Sequence, residues 1–255
     1  MTSTSSDSVL LALDGPVAVV SLNRPERHNA FNDEMDARFF EVLGEVAGRD
    51  DVRCVVWRGE GKSFSSGRDV AELGLRAKGE TDLEFIEAGH AKTKLLWEMS
   101  VPIVVALKGW AIGGSFERAL LCDIRVAAED ARMMLPETAH GVIPDSGGVA
   151  RLFQMCGHGM AADLALTGRV LDADEALRHG VVSRVVPEER LDDEVMAVAQ
   201  EIAKRPPLAV RMARATIASL GVPEVERSMH EEKLAQTVVM SSDEYKKQKE
   251  KRLKS

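Results

Sequence analysis

The chain is poor in cysteine, has no long apolar run and carries no excess of basic residues, and each shortage removes a class of protein. Three cysteines, Cys54, Cys122 and Cys156, are scattered through 255 residues and none stands in a CxxC pair. That excludes a disulfide framework and points to a reducing compartment. No stretch approaches the roughly 18 apolar residues of a membrane helix, and the apolar run 9–13 is too short and lacks the basic flank of a signal peptide. A soluble, cytoplasmic protein away from membranes is expected. Neither the cysteines nor the six histidines show metal-ligand spacing, so no metal is implied. The formal net charge of −8 argues against a general nucleic-acid role.

Familiar nucleotide and nucleophile motifs are missing too. Gly61-Lys62-Ser63 resembles the end of a phosphate-binding loop, but the first glycine would have to stand at Val56. Gly113-Gly114-Ser115-Phe116-Glu117 has Glu117 where a GxSxG nucleophile elbow needs glycine.

What is present is an ordinary soluble balance, 45% hydrophobic and 29% charged. Residues 17–23, 53–59, 102–107, 124–128 and 181–186 read as strands, and 33–47, 82–99 and 114–122 as helices between them, the alternation of an α/β core. The final third reads as helices over 188–204, 206–220 and from 222 onward, broken at Pro206-Pro207 and Gly221-Val222-Pro223. The simplest division is a core over 1–200 and a helical region over 201–255. Residues 1–7 look polar and flexible. The last ten residues hold five lysines and one arginine against one glutamate, net +5, which leaves −13 on the other 245. This tail reads as a solvated helix end or, alternatively, as a basic edge for phosphates.

Two segments carry the chemistry. The buried strand 102–107 leads through Lys108-Gly109-Trp110-Ala111-Ile112 to the glycine pair, where a loop turns into a helix. First-turn N–H groups of a helix lack intrahelical partners and sit in positive dipole potential, and glycine lets a substrate approach them closely. A donor aimed at an oxygen that gains charge is worth about 3 kcal/mol in a dry site, so Gly114 is a candidate oxyanion donor. A second small-residue turn, Phe64-Ser65-Ser66-Gly67-Arg68-Asp69-Val70, ends another strand. Glu117 lies just beyond the first glycine pair, and the second segment, Met134-Leu135-Pro136-Glu137 to Ile143-Pro144-Asp145-Ser146-Gly147-Gly148, adds two more carboxylates. Asp145 reads either as a proton shuttle or as a hydrogen-bonding or capping residue for a helix starting near Gly147.

In order along the chain, these pieces resemble the enoyl-CoA hydratase/isomerase, or crotonase, family. The likeness runs from Leu22-Asn23-Arg24-Pro25-Glu26-Arg27-His28-Asn29-Ala30-Phe31 through Phe64–Val70, Gly113-Gly114, Glu117, Cys122-Asp123-Ile124-Arg125 and Pro136-Glu137 to Leu166-Thr167-Gly168 and Gly180-Val181-Val182. The stretch around Glu137 to Gly148 is also similar to carnitinyl-CoA dehydratases.

The resemblance implies an α/β spiral of ββα repeats with C-terminal helices that form a homotrimer or a dimer of trimers. It implies acyl-CoA thioester substrates, as in fatty acid metabolism, and no cofactor beyond the coenzyme A that the substrate carries. The oxyanion hole maps to the N–H groups of Arg68 and Gly114, with the Arg68 side chain incidental. Coenzyme and substrate contacts map to Arg27, Ala30, Ser66, Arg68 and Asp69.

Glu117 and Glu137 map to the acid pair that holds a water over the double bond, with Asp145 a further candidate. Outside this context each glutamate reads as a helix carboxylate. Hydration of a 2-enoyl-CoA is the first expectation. The alternatives are double-bond isomerisation through Glu137 or Asp145, a carnitinyl-CoA dehydratase-like activity, and a non-catalytic binding protein on the same fold.

Four features depart from the usual pattern, the most important being Asp145, where hydratases commonly have glycine and some isomerase branches carry an acid. Ser115 replaces a third glycine and is expected to add a hydroxyl to the pocket floor, and His140 replaces an apolar residue. Asp243-Glu244-Tyr245 runs straight into the basic tail, which predicts a shortened or open lid.

Overall fold

The computed structural model describes residues 7–72, 75, 76 and 78–252. The polar segment 1–7 is thus described only at Asp7, and the last three residues of the basic tail lie outside the described residues.

The chain runs β1 (Val9–Asp14), β2 (Val17–Leu22), α1 (Asp33–Ala47), β3 (Cys54–Gly59), α2 (Asp82–Thr93), α3 (Leu95–Glu98), β4 (Ile103–Leu107), β5 (Trp110–Ile112) and α4 (Gly114–Leu121). It continues β6 (Ile124–Ala128), β7 (Arg132–Met134), α5 (Gly148–Thr167), β8 (Leu171–Asp172), α6 (Ala173–Arg178), β9 (Arg184–Val186), α7 (Leu191–Ala203), α8 (Pro207–Ser241) and α9 (Asp243–Arg252). A six-stranded sheet is ordered β1-β2-β3-β4-β6-β9, parallel except for the β1–β2 hairpin.

Parallel strands are covered on both faces, which is why β3 and β4 are apolar almost throughout. Phe39, Leu43, Trp57 and Phe116 pack on one face. On the other, Leu191, Val195 and Ala199 of α7 meet Val56, Val104 and Val126. The expected division at residue 200 falls inside α7, which ends at Ala203.

A second layer explains how the site is assembled. β5, β7 and β8 form a small sheet, so β4–β5–α4 and β6–β7–α5 follow one path: a long-sheet strand, a short strand in the second layer, then a helix. The earlier units extend that layer with single bridges, Phe31 to Arg68 and Ser65 to Ala111. This is the ββα spiral that the resemblance implies. It places Arg68 and Gly114 at equivalent points, where the second layer hands over to a turn or helix.

Two helix boundaries differ from the sequence reading. The helix expected over 82–99 is divided at Lys94 into α2 and α3. The break expected at Gly221-Val222-Pro223 does not occur: α8 continues through Pro223. Proline inside a helix costs about 3 kcal/mol, and tertiary packing offsets it here. Gly221 is buried against α5, Gln154 Nε2 donates to its carbonyl at 2.9 Å, and a Cβ there would lie 2.6 Å from Arg151 Nη1. Further up α8, Arg214 binds both carboxylate oxygens of Asp123 at 2.9 Å and donates to the carbonyls of Leu96, Trp97 and Met99.

Candidate active site

A cavity of about 410 Å³ opens where the second layer meets α4, α2 and α8. Gly67, Arg68, Gly114, Glu117, Glu137 and Asp145 all line it, so the two glycine turns and the three acids converge as one site.

The donor wall is main chain. Phe31 N–H donates to Gly67 O at 2.7 Å and Asp69 N–H to Phe31 O at 2.8 Å, which brackets Arg68 and fixes its peptide. Gly67 adopts φ +86°, and a Cβ there would sit 2.6 Å from Ile112 O, so only glycine fits this approach. The N–H groups of Arg68 and Gly114 find no acceptor among the described residues. The Arg68 guanidinium turns away to Asp33 at 2.5 Å. Ser115 lines the cavity as expected, with its hydroxyl committed to Ile112 O at 2.8 Å.

The acid wall is built crosswise. Glu117, on α4, is 1% exposed, and its Oε1 accepts from the N–H groups of Ser146 at 3.1 Å and Gly148 at 3.2 Å. Glu137 opens a 3₁₀ turn, Glu137–His140, and its Oε2 is buried without a partner among the described residues. Each acid abuts a glycine from the other segment. A Cβ on Gly113 would be 2.7 Å from Glu137 Oε1, and one on Gly148 would be 2.5 Å from Glu117 Cβ.

Asp145 does not cap α5. Gly147 is the N-cap without a side-chain bond, and Glu117 takes the Gly148 amide instead. The Asp145 carboxyl is hydrogen-bonded by Gln236, and its carbonyl accepts from His90 Nε2.

Burial dominates the electrostatics of this wall. It pushes Glu117 well above the usual carboxylate range, and the charges of Glu137, Glu232 and Asp145 add to the effect. Glu137 is pushed up to about 7 by burial, partly offset by a backbone hydrogen bond, with Asp145 adding to the rise. Asp145 is also pushed up to about 7, by burial and then Glu232, against the pull of Arg118 and Arg76. Burial lowers His90, favouring the neutral ring.

The other predicted contacts flank this cavity without lining it. Ser66 N–H donates to His28 O at 2.9 Å, setting 27–30 beside 66–69. Ala30 is buried and Arg27 exposed, and the Asp69 carboxylate is engaged by Arg24 at 3.3 Å and by Ala71 N–H at 3.1 Å. The sequence reading missed the wall formed by Phe85, His90, Gln236 and Met240. One signal existed: Glu232 and Gln236 interrupt an apolar stripe at helical spacing. Beyond that wall α9 packs on its own chain, with Tyr245 buried among Ile86, Val142 and Met240.

Among the described residues no group of His, Cys, Asp and Glu is placed to hold a metal ion, and no helix is long and apolar enough to cross a membrane. Burial pushes the Cys54 thiol up to about 12 and the Cys122 thiol higher still, so neither is an activated nucleophile.

The family model described as enoyl-CoA hydratase/isomerase matches residues 13–253. The short-chain-enoyl-CoA hydratase of Clostridium acetobutylicum is 35% identical over 215 residues, 83% of this chain and 81% of that protein. The carnitinyl-CoA dehydratase of Salmonella arizonae is 38% identical over 211 residues, 80% and 78% of the two chains. A crystal structure of an enoyl-CoA hydratase/isomerase from Pseudoalteromonas atlantica superposes with a TM-score of 0.86 at 30% identity, covering 97% of each chain.

Proposed function

The chain belongs to the enoyl-CoA hydratase/isomerase family of enzymes, and from that premise we propose that it is a hydro-lyase adding water reversibly to the double bond of a 2-enoyl-CoA thioester. The observation that carries this reading is the placement of two buried carboxyls, Glu117 and Glu137, in one cavity with the Arg68 and Gly114 amides. The thioester oxygen accepts from those two N–H groups, and the α4 dipole reinforces them as the oxygen gains charge. Water held between the glutamates adds to the β-carbon while one carboxylate takes its proton. The resulting enolate is stabilised at the oxyanion donors until the other glutamate, protonated, gives a proton to the α-carbon. The net change is OH on the β-carbon and H on the α-carbon. Raised carboxyl pKa values support a pair that shares protons in this way. Arg27, Ala30, Ser66 and Asp69 are proposed to shape the coenzyme end of the site.

A second reading is double-bond migration, favoured by Asp145 lining the same cavity with its carboxyl pushed up to about 7. Likeness to carnitinyl-CoA dehydratases supports a dehydration variant of the first reading. Separate incubations with a short 2-enoyl-CoA, a 3-enoyl-CoA and carnitinyl-CoA, followed by mass spectrometry, distinguish these. Gain of one water from the 2-enoyl substrate is expected. Unchanged mass with a moved double bond supports the second reading, and no turnover with coenzyme A still bound supports a binding protein.

Exposed Phe153, Leu166, Met212, Ile217 and Leu220 support assembly as a homotrimer or dimer of trimers, which sedimentation measures directly. The unpaired cysteines support a cytoplasmic setting.

A further inference from the structure

One face of α8 carries Gly221, Val225, Met229, Glu232, Gln236 and Met240 at intervals of three or four residues, and all six are buried. Two polar groups stand on this stripe, and each gives one oxygen to the second segment. Glu232 Oε2 accepts from Gly147 N–H at 2.9 Å, and its Oε1 accepts from Ser228 Oγ at 2.7 Å. Gln236 Oε1 accepts from Ile143 N–H at 3.0 Å. On the opposite side of the same turn, the amides of Ser146 and Gly148 go to Glu117. Three consecutive amides therefore alternate between two carboxyls, one from α4 and one from α8. The layer has no room for side chains, since a Cβ on Gly147 would lie 2.8 Å from Val225 Cγ1.

We infer that Glu232 is a positioning residue for the reaction: from α8 it holds the Gly147 amide and so fixes the neighbouring amides on which the Glu117 carboxyl rests. The inference builds on the proposal that Glu117 acts as an acid. A turn that lost its anchor at Gly147 would rotate, carrying the Ser146 and Gly148 donors off Glu117. Charge adds a second effect through the same contact. Burial raises Glu232, partly offset by the Ser228 hydroxyl and the Gly147 amide, and its ionised form raises in turn Glu117 on α4 and Asp145 on the turn. The other groups around this cluster are accounted for. Glu137 adds to the rise on Glu117, Arg118 and Arg76 pull Asp145 down, and His90 bonds the Asp145 carbonyl. Lys233, next in the chain, is paired with Glu87 at 2.8 Å.

The test uses Glu232→Gln, which keeps an acceptor for Gly147 and removes the charge, beside Glu232→Ala, which removes both. Carboxyl ¹³C NMR titration of the full chain, with the Glu117 signal assigned by its loss in Glu117→Gln, reads the site without turnover. In Glu232→Gln the Glu117 midpoint is expected to fall by about one pH unit, and the alkaline limb of kcat on a short 2-enoyl-CoA falls with it while KM stays unchanged. In Glu232→Ala, kcat falls roughly 10- to 100-fold with KM within about threefold.

A Glu117 midpoint in Glu232→Ala equal to that in Glu232→Gln overturns the inference, because the two variants share the lost charge and differ in the Gly147 anchor. So does a kcat in Glu232→Ala reduced only in proportion to the folded fraction. If the wild-type enzyme hydrates no 2-enoyl-CoA, the proposed reaction fails, and the titration still decides the role of Glu232.

Discussion

Glu117 and Glu137 face one cavity from two regions built on opposite rules. The α4 region specifies its carboxyl fully: Glu117 is buried, two amides share one oxygen, and Gly148 presses on its stem. The Glu137 turn is a single 3₁₀ turn without a side-chain cap, and it leaves one buried oxygen without a partner among the described residues. An unmade hydrogen bond on a buried polar atom costs about 1–3 kcal/mol, and under the proposed reaction the attacking water satisfies this oxygen. The contrast teaches a division of labour. One acid is held in a fixed direction, and the other keeps a free lone pair for what enters.

The sharpest way to break this comparison is to neutralise each acid in turn. Glu117→Gln keeps an acceptor for both amides, so the protein should melt as the wild type does while hydration falls about 10²- to 10⁴-fold. Under the isomerase reading it retains migration of a 3-enoyl double bond, and that migration is lost in Glu137→Gln if Glu137 carries the proton or in Asp145→Asn if Asp145 does. Product analysis of the two variants on both substrates checks this.

The glycine partners come next. Gly113→Ala puts a methyl at φ +58° against Glu137 Oε1 and should lower kcat roughly 10- to 100-fold by displacing the less constrained acid. Gly148→Ala strikes the constrained one. It should cost about 1–3 kcal/mol of stability, measured by urea unfolding, because the Glu117 stem has nowhere to move.

The smallest effect concerns pH. The folded pKa of Asp145 is raised to about 7 from the usual 3.8. Its contribution to stability is therefore complete below pH 3.8 and is lost as pH rises through about 7. Asp145→Asn, which stays neutral, should melt roughly 2–4 °C above the wild type at pH 8, with the gap closing toward pH 4. Calorimetry across that range reads the trend.

Local pattern revealed what local pattern controls. The long-sheet strands around Val55, Val104 and Val126 were legible because burial on both faces makes them continuous apolar runs, and α1 was legible from its amphipathic spacing. The three-residue strands β5 and β7 were not, being too short to show a period. Strand-end glycines and the carboxylates near them pointed to Gly114, Glu117, Glu137 and Asp145, and family likeness added Arg68 and the roles of the glutamates. It said nothing of Glu232 or Gln236, whose part depends on α8 continuing through Pro223. That continuity comes from Gly221 lying on Gln154, a contact 67 residues apart in the chain, which no window of sequence displays. Ser115 was legible as a cavity residue, but the direction of its hydroxyl was not, being set by the carbonyl it finds, here Ile112.

The donor wall carries a consequence for how such a site can diverge. Under the proposed reaction its polarising groups are main-chain amides, so they are encoded by the path of the chain and by no particular side chain. Most single substitutions at position 68 leave that chemistry intact, and the residue is free to drift toward new surface contacts. Position 67 has no such freedom, since a side chain there meets Ile112 O. Mutational tolerance should therefore change abruptly between two adjacent codons. A lineage can trade acids on one wall and so change its reaction while inheriting the oxyanion hole unchanged on the other.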